Sequence, residues 1–189
     1  MGSFNFLLYF TMTQTFEIAL VTAIISILYS RVKAPYLGLW RLSWLSLLAY
    51  TLLASLLMFL FVSEEYTSHR VFVLIFFMLV GGYSCLFFLD SGSKALVSNK
   101  KFPLKMQLKW LALIVFTSAV LTLISTQLDK EIGQFITILM LTLVSGIVSV
   151  IVGLRILRSG INYTGARVFG YMMIAHGVIW LLVRLEHYL

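Results

Sequence analysis

Residues 71–89 read VFVLIFFMLVGGYSCLFFL and contain no charged side chain. A membrane-spanning helix needs about 20 predominantly apolar residues, so this run predicts one, and five other runs of the chain have the same character. None of them alternates apolar and polar residues over about ten positions, as a strand of a membrane barrel does. The six predicted spans cover residues 6–29, 37–62, 71–89, 108–126, 132–154 and 164–183.

The composition of the whole chain agrees with these spans. Of its 189 residues, 61% are hydrophobic and 11% are charged, whereas an ordinary soluble domain carries about 25% charged residues. A chain this short cannot hide so much apolar surface in one core, so we expect lipid to cover the rest. The predicted fold is all-α: a polytopic membrane protein in which residues 1–189 form one compact bundle of six transmembrane helices. A soluble enzyme is excluded, and no nucleic-acid partner is expected.

Basic residues divide unevenly between the two ends of the predicted bundle. Eleven flank the first, third and fifth connections, and three lie at the opposite end. Cytoplasmic loops collect Lys and Arg, so both termini are predicted to lie outside the cytoplasm, in a protein expected in a bacterial inner membrane. The eleven are Arg31, Lys33, Arg41, Lys94, Lys100, Lys101, Lys105, Lys109, Arg155, Arg158 and Arg167; the three are Arg70, Lys130 and Arg184.

Two ionisable residues are predicted near the middle of the membrane. Glu17 lies halfway along the first span with Gln14 one turn before it, and His176 lies about twelve residues into the sixth span. A carboxylate at this depth is costly and is a functional candidate by default. A Glu17–His176 pair could relay protons, anchor a ligand or form a structural hydrogen bond. Similar depth alone does not place the two side by side, and interior packing is the plainer interpretation of each.

Other candidates lie nearer the cytoplasmic end or within the third span. Tyr83 follows Gly81 and Gly82, a run that could line a pocket, loosen the helix or simply let helices pack closely. Arg41, flanked by Trp40 and Trp44, is predicted to contact lipid headgroups, because long basic side chains reach toward the interface and tryptophans collect there.

Some local features predict packing or an ion pair, and familiar catalytic motifs are missing. Asp90 and Lys94 are four residues apart and should pair on one helix face. Stripes of small residues indicate close helix contacts: Gly81 and Cys85 in the third span, Ser145, Ser149 and Gly153 in the fifth, and Gly170 and Gly177 in the sixth. We find no phosphate-binding loop, zinc-ligand spacing or nucleophile elbow. No cofactor and no metal are therefore expected, and a non-enzymatic role is favoured over an enzymatic one.

The order of short motifs near the helix ends resembles that of one family of membrane proteins. Tyr36-Leu37-Gly38-Leu39-Trp40 opens the second span, Lys100-Lys101-Phe102-Pro103 follows the third, and His176-Gly177 marks the sixth. Over about residues 30–185 this order resembles the multi-pass sensory transmembrane modules of bacterial diguanylate cyclases and histidine kinases. The resemblance implies a sensing or partner-binding fold, here expected without an output domain.

The sequence leaves two main classes of function open, and a third, an intramembrane enzyme, is the least favoured because only one carboxylate and one imidazole are predicted deep in the membrane. The first is a non-enzymatic membrane sensor or accessory subunit that binds an apolar ligand, or the membrane helices of a partner, within its bundle. The second is a small solute transporter, or the substrate-binding subunit of one, that uses Glu17 and His176. In either case the lipid bilayer is the expected surroundings.

Overall fold

The computed structural model describes residues 2–63, 67–100, 102–128, 130–161 and 164–186, and it contains six helices in this part of the chain. Side chains are described except at 2–7, 61–62, 68, 130–138, 165, 180 and 183–186. Of the charges counted for orientation, Lys101 lies outside the described residues, as do the side chains of Lys130 and Arg184. The helices are α1 (Gly2–Val32), α2 (Pro35–Val62), α3 (Ser68–Ser98), α4 (Leu104–Gln127), α5 (Lys130–Arg158) and α6 (Thr164–Glu186).

The all-α prediction is confirmed. Five helices are long and apolar enough to cross a membrane, with described apolar stretches of 20 to 30 residues. In α6 the described apolar stretch, Ala166–Ile179, is shorter. Because α6 packs along α5, it runs through the same depth of the bundle. The chain is therefore an integral membrane protein by length, composition and packing.

Proline and left-handed residues set the helix boundaries at one end of the bundle. Pro35 opens α2 and Pro103 precedes α4, where a missing N–H costs nothing because the first N–H groups of a helix are unpaired anyway. The three connections at this end each contain a residue with positive φ: Lys33 at 51°, Asn99 at 52° and Gly160 at 71°. A left-handed residue just past the last turn ends a helix and redirects the chain.

Helix α3 extends nine residues beyond the predicted span. The span prediction stopped at the first charge, Asp90, but the helix continues to Ser98. The helix can continue because backbone hydrogen bonding does not require apolar side chains. The predicted ion pair between Asp90 and Lys94 is confirmed, with Nζ 2.6 Å from Oδ2, and it stabilises the added turns. The extension carries polar side chains toward the predicted cytoplasmic end, which we call the inner end.

Helix α3 occupies the centre of the bundle. In its most hydrophobic window 39% of residues are buried, compared with 6% for α1. Its backbone lies close to α2, α4 and α5, whereas the backbone of α1 lies close to α2 and that of α6 to α5. Helix α6 also meets α2 through the rings of Phe169 and Trp40. Among the described residues, no backbone contact joins α1 to α6. The order of neighbours is therefore α1, α2, α3, α5 and α6, with α4 packed against both α3 and α5.

Glycines allow α5 and α6 to cross at close range. A Cβ added to Gly153 would lie 2.5 Å from the carbonyl oxygen of Gly170, and one added to Gly177 would lie 2.6 Å from that of Gly146. The two glycines of each helix are seven residues apart, so they share one face on either helix. The predicted close packing at Gly170 and Gly177 is confirmed, with Gly146 and Gly153 facing them. Interfaces of this type hold membrane helices through backbone contact.

We expect the inner end to face the cytoplasm. Cysteines placed at Asn99 and Thr67, which end and precede α3, lie at opposite ends of the bundle and are both exposed. In intact cells a membrane-impermeant maleimide should label the cysteine at position 67 and spare the one at 99 until the membrane is opened. Replacing Cys85, which is buried, with alanine removes background labelling, and the opposite pattern would invert the predicted topology.

Candidate functional site

Gln14 and Glu17 lie on the side of α1 that faces away from the rest of the bundle. Both side chains are exposed, and neither has a hydrogen-bond or ion-pair partner within the described residues. Their exposed neighbours Phe16 and Leu20 have 66% and 52% of their surface accessible. The opposite side of α1 meets α2, where the hydroxyl of the buried Thr22 donates to the carbonyl oxygens of Ile18 (2.7 Å) and Trp44 (3.4 Å). The two polar side chains therefore face the surroundings of the chain.

His176 lies on α6 and is also exposed. The neighbouring Gly177 is buried against α5, so the two residues occupy different faces of the helix. Because α1 and α6 have no backbone contact among the described residues, one chain does not bring Glu17 and His176 together. The sequence suggests a Glu17–His176 pair only because both residues are predicted at a similar depth in the membrane. Lateral position depends on helix packing: α1 packs on α2, whereas α6 packs on α5 and meets α2 through the ring of Phe169.

Tyr83 is half-buried in the middle of α3. The glycines before it serve helix contacts: a Cβ on Gly81 would lie 3.1 Å from the carbonyl oxygen of Ser46, and one on Gly82 would lie 3.0 Å from a methyl group of Leu141. Cys85 continues the Gly81 stripe against α2, where the Ser43 hydroxyl donates to the Cys85 carbonyl oxygen at 2.9 Å. These contacts favour helix packing as the role of Gly81 and Gly82. Ligand binding by Tyr83 stays a prediction.

The three residues predicted to contact headgroups lie close to other helices. Trp40 packs on Gly92, where an added Cβ would overlap the indole, and its ring lies 5.3 Å from that of Phe169 on α6. The Arg41 guanidinium lies 4.6 Å from the centre of the Tyr29 ring, a cation–π contact between α2 and α1. Trp44 is half-buried. Headgroup contact by these residues stays a prediction. Trp40 also joins α2 to α3 and α6, and Arg41 joins α2 to α1.

A connected polar site lies at the inner ends of α3 and α5. Nη1 of Arg155 donates to Oδ1 of Asp90 at 2.5 Å and to the hydroxyl of Ser93 at 2.6 Å. Lys94 approaches the other oxygen of Asp90, and the Ser93 hydroxyl donates to the Asp90 carbonyl oxygen at 2.7 Å. The side chains of Asp90 and Arg155 are 23% and 25% exposed. This network fixes α5 against α3 through charge-assisted hydrogen bonds.

One feature of the sequence points to this network, although counting charges by side uses it only to predict orientation. Asp90 is the only acidic residue on the side of the chain where eleven basic residues were counted, so several cations compete for it. The count assigned both Asp90 and Arg155 to orientation. Their pairing crosses 65 positions of sequence, and helix periodicity alone relates only residues within the same helix.

Neither a metal-binding group nor a similar protein indicates a function for the described residues. A search of the described part of the chain finds no group of three or more His, Cys, Asp or Glu side chains that could hold a metal ion. Comparisons with protein-family models, curated proteins and solved structures give no match. Functional inference therefore rests on the placement of Gln14, Glu17 and His176 in the bundle.

Proposed function

We propose that this protein is a non-enzymatic integral membrane subunit that binds membrane helices of a partner through the outward face of α1. We define that face by Thr13, Gln14, Glu17, Leu20 and Ile24, all of which are exposed. The observation that carries the proposal is the exposure of an amide and a carboxyl group, one turn apart, midway along a helix that packs on α2.

The energetics of lipid exposure support a protein partner. Acidic and basic side chains at the centre of a membrane helix cost about 2.5–3.5 kcal/mol on insertion scales. Hydrogen bonds across a helix interface are the usual way to lower that cost, and they contribute about 0.6–2 kcal/mol each. Thr13, Glu17, Leu20 and Ile24 follow one another at spacings of four, three and four residues and share one stripe, and Gln14 lies beside it, one turn before Glu17. A second helix can cover a stripe of this shape.

The transporter alternative requires Glu17 and His176 to line one path through the bundle. Their helices are not neighbours among the described residues, and both side chains are exposed on the outside of the chain. A ligand-binding subunit would place its polar groups toward the interior. Binding of a partner helix therefore explains the exposed Gln14 and Glu17 with fewer additional assumptions. Binding of a small apolar ligand is an alternative outcome of the test.

The test compares the native particle with a variant that lacks both polar groups. Purified in mild detergent, the protein should have a mass well above its own 21.5 kDa after subtraction of detergent and lipid. Gln14→Leu combined with Glu17→Leu should reduce the recovered partner by at least about tenfold, since each lost interhelical hydrogen bond weakens association severalfold. Helix content, measured by circular dichroism, should be unchanged.

Thr117→Leu provides the matched control, because it replaces another exposed polar side chain on a different helix, α4. It should leave the particle mass and composition as in the native protein. A native particle that contains one chain, or a complex that survives the double substitution intact, would contradict the proposal. A single chain carrying a stoichiometric apolar molecule would instead support the receptor alternative.

A further inference from the structure

We propose that the partner of the outward face of α1 is α6 of a second copy of this chain, and that Glu17 of one copy pairs with His176 of the next. This inference rests on the proposed function and names its partner. It is based on the chemistry, depth, direction and surroundings of the two exposed side chains.

The two side chains lie at matching depth. Glu17 is fifteen residues from either end of α1, and His176 is twelve residues from the start of α6 and ten from its end. At about 1.5 Å per residue, they are roughly 22 and 18 Å from the inner ends of their helices. One helical turn covers this difference. Two copies standing upright in one membrane would therefore present the carboxyl and imidazole groups at nearly the same height.

The directions of the helices also match. Helices α1 and α6 are separated by five connections, so they cross the membrane in opposite senses within the alternating bundle. When Glu17 lies opposite His176, an antiparallel pairing brings Leu20 opposite Met172 and Ile24 opposite Val168. Met172 and Val168 are 64% and 51% exposed, as expected for side chains that another helix could cover. The register thus pairs apolar with apolar side chains on the side of the polar centre toward the inner end.

Carboxyl and imidazole groups are complementary in either proton arrangement. A protonated carboxyl can donate to a ring nitrogen, and a carboxylate can accept from an imidazole N–H. An imidazole has two ring nitrogens, so an interaction of His176 within its own chain leaves room for a second one. Gln14, one turn from Glu17, can donate its amide N–H to the remaining carboxyl oxygen. The pair would remove both the carboxyl and the imidazole group from contact with lipid.

The two faces lie on helices at different positions in the order of neighbours. Two copies related by a twofold axis would form the contact twice. Copies that offer the α1 face to one neighbour and the α6 face to another would form it head-to-tail, and that arrangement closes a ring when the rotation between copies allows. The opposite side of α6 is already occupied by α5 at Gly170 and Gly177, so the proposed contact leaves the internal packing in place.

Disulfide formation between two differently tagged copies tests the contact. Both copies carry Cys85→Ala; one carries Glu17→Cys and the other His176→Cys. Mild oxidation of native membranes should give a product that contains both tags, in at least about tenfold greater yield than either variant gives with itself. A control pair, Phe116→Cys with His176→Cys, uses an exposed residue of α4 and should give no such product.

An exchange of the two groups makes the test independent of crosslinking chemistry. Glu17→Leu and His176→Leu should each weaken self-association about tenfold, whereas Glu17→His combined with His176→Glu should restore it to within about threefold of the native chain. A dominant product that joins two copies of the Glu17→Cys variant, or equal association of all variants, would overturn the inference. If α1 then still contacts a different protein, the proposed function stands and the second copy is excluded; if α1 contacts no protein, both fail.

Discussion

Replacing Gly153 with alanine should lower the free energy of unfolding by about 1–3 kcal/mol, the usual cost of an overpacked interior position. The added Cβ would lie 2.5 Å from the carbonyl oxygen of Gly170. This neighbour is backbone, which cannot rotate aside, so α5 and α6 must separate along their whole crossing. The separation also weakens the second close contact, at Gly146 and Gly177. Thermal unfolding in detergent, followed by circular dichroism, measures the loss.

Gly82→Ala is the matched control for this prediction. Gly82 is also buried within a helix, and its nearest neighbours would be methyl groups of Leu141 at 3.0 and 3.2 Å, which can move by a change of rotamer. Alanine favours a helix over glycine by about 1 kcal/mol, so Gly82→Ala should be neutral or slightly stabilising. Equal effects at the two positions would contradict the glycine-mediated contact between α5 and α6.

Replacing Asp90 with alanine should cost about 2 kcal/mol and loosen α5 from α3. The substitution leaves the Arg155 guanidinium at a mostly covered position with the Ser93 hydroxyl and a backbone carbonyl as its described partners. Breaking a buried ion pair on one side costs about 3–5 kcal/mol. We expect less here, because the two side chains are 23% and 25% exposed and water screens part of the interaction.

Two further variants separate the ion pair from general effects of charge. Asp90→Leu combined with Arg155→Leu removes both charges and should recover most of the lost stability, since paired replacement of buried ions by apolar groups is often close to neutral. Lys94→Met removes the other cation beside Asp90. Because Lys94 is 50% exposed, its loss should cost no more than about 1 kcal/mol. A Lys94 effect as large as that of Asp90→Ala would show that the pairing is wrong.

The sequence predicts the vertical arrangement of this molecule better than its lateral arrangement. Hydropathy reports where a residue lies along the membrane normal, and it identified six helices and placed Glu17 and His176 at mid-depth. Helix ends depended on local signals: Pro35 and Pro103 marked the starts of α2 and α4, whereas the end of α3 at Ser98 was missed because charge was taken as the limit.

Neighbour relations depend on the matching of surfaces from distant parts of the chain. The sequence predicts contact stripes at Gly170 and Gly177 and at Ser145, Ser149 and Gly153, but it does not show that the two stripes face each other. Gly146, which packs against Gly177, is not part of the predicted stripe. Asp90 and Arg155 were each visible as charges, and only folding shows that they meet. Glu17 and His176 lie at similar depth on helices that are not backbone neighbours among the described residues, because depth does not determine which helices are adjacent.

The central claim is that the outward face of α1 contacts protein in the membrane. Its most direct test is a photocrosslinking scan along α1 in native membranes, with a photoreactive residue placed at one position at a time. Protein adducts should form from positions 14, 17, 20 and 24, and not from 15, 18 and 22, which are half-buried or buried toward the bundle. Uniform labelling at all seven positions, or lipid adducts alone from the outward four, would contradict it.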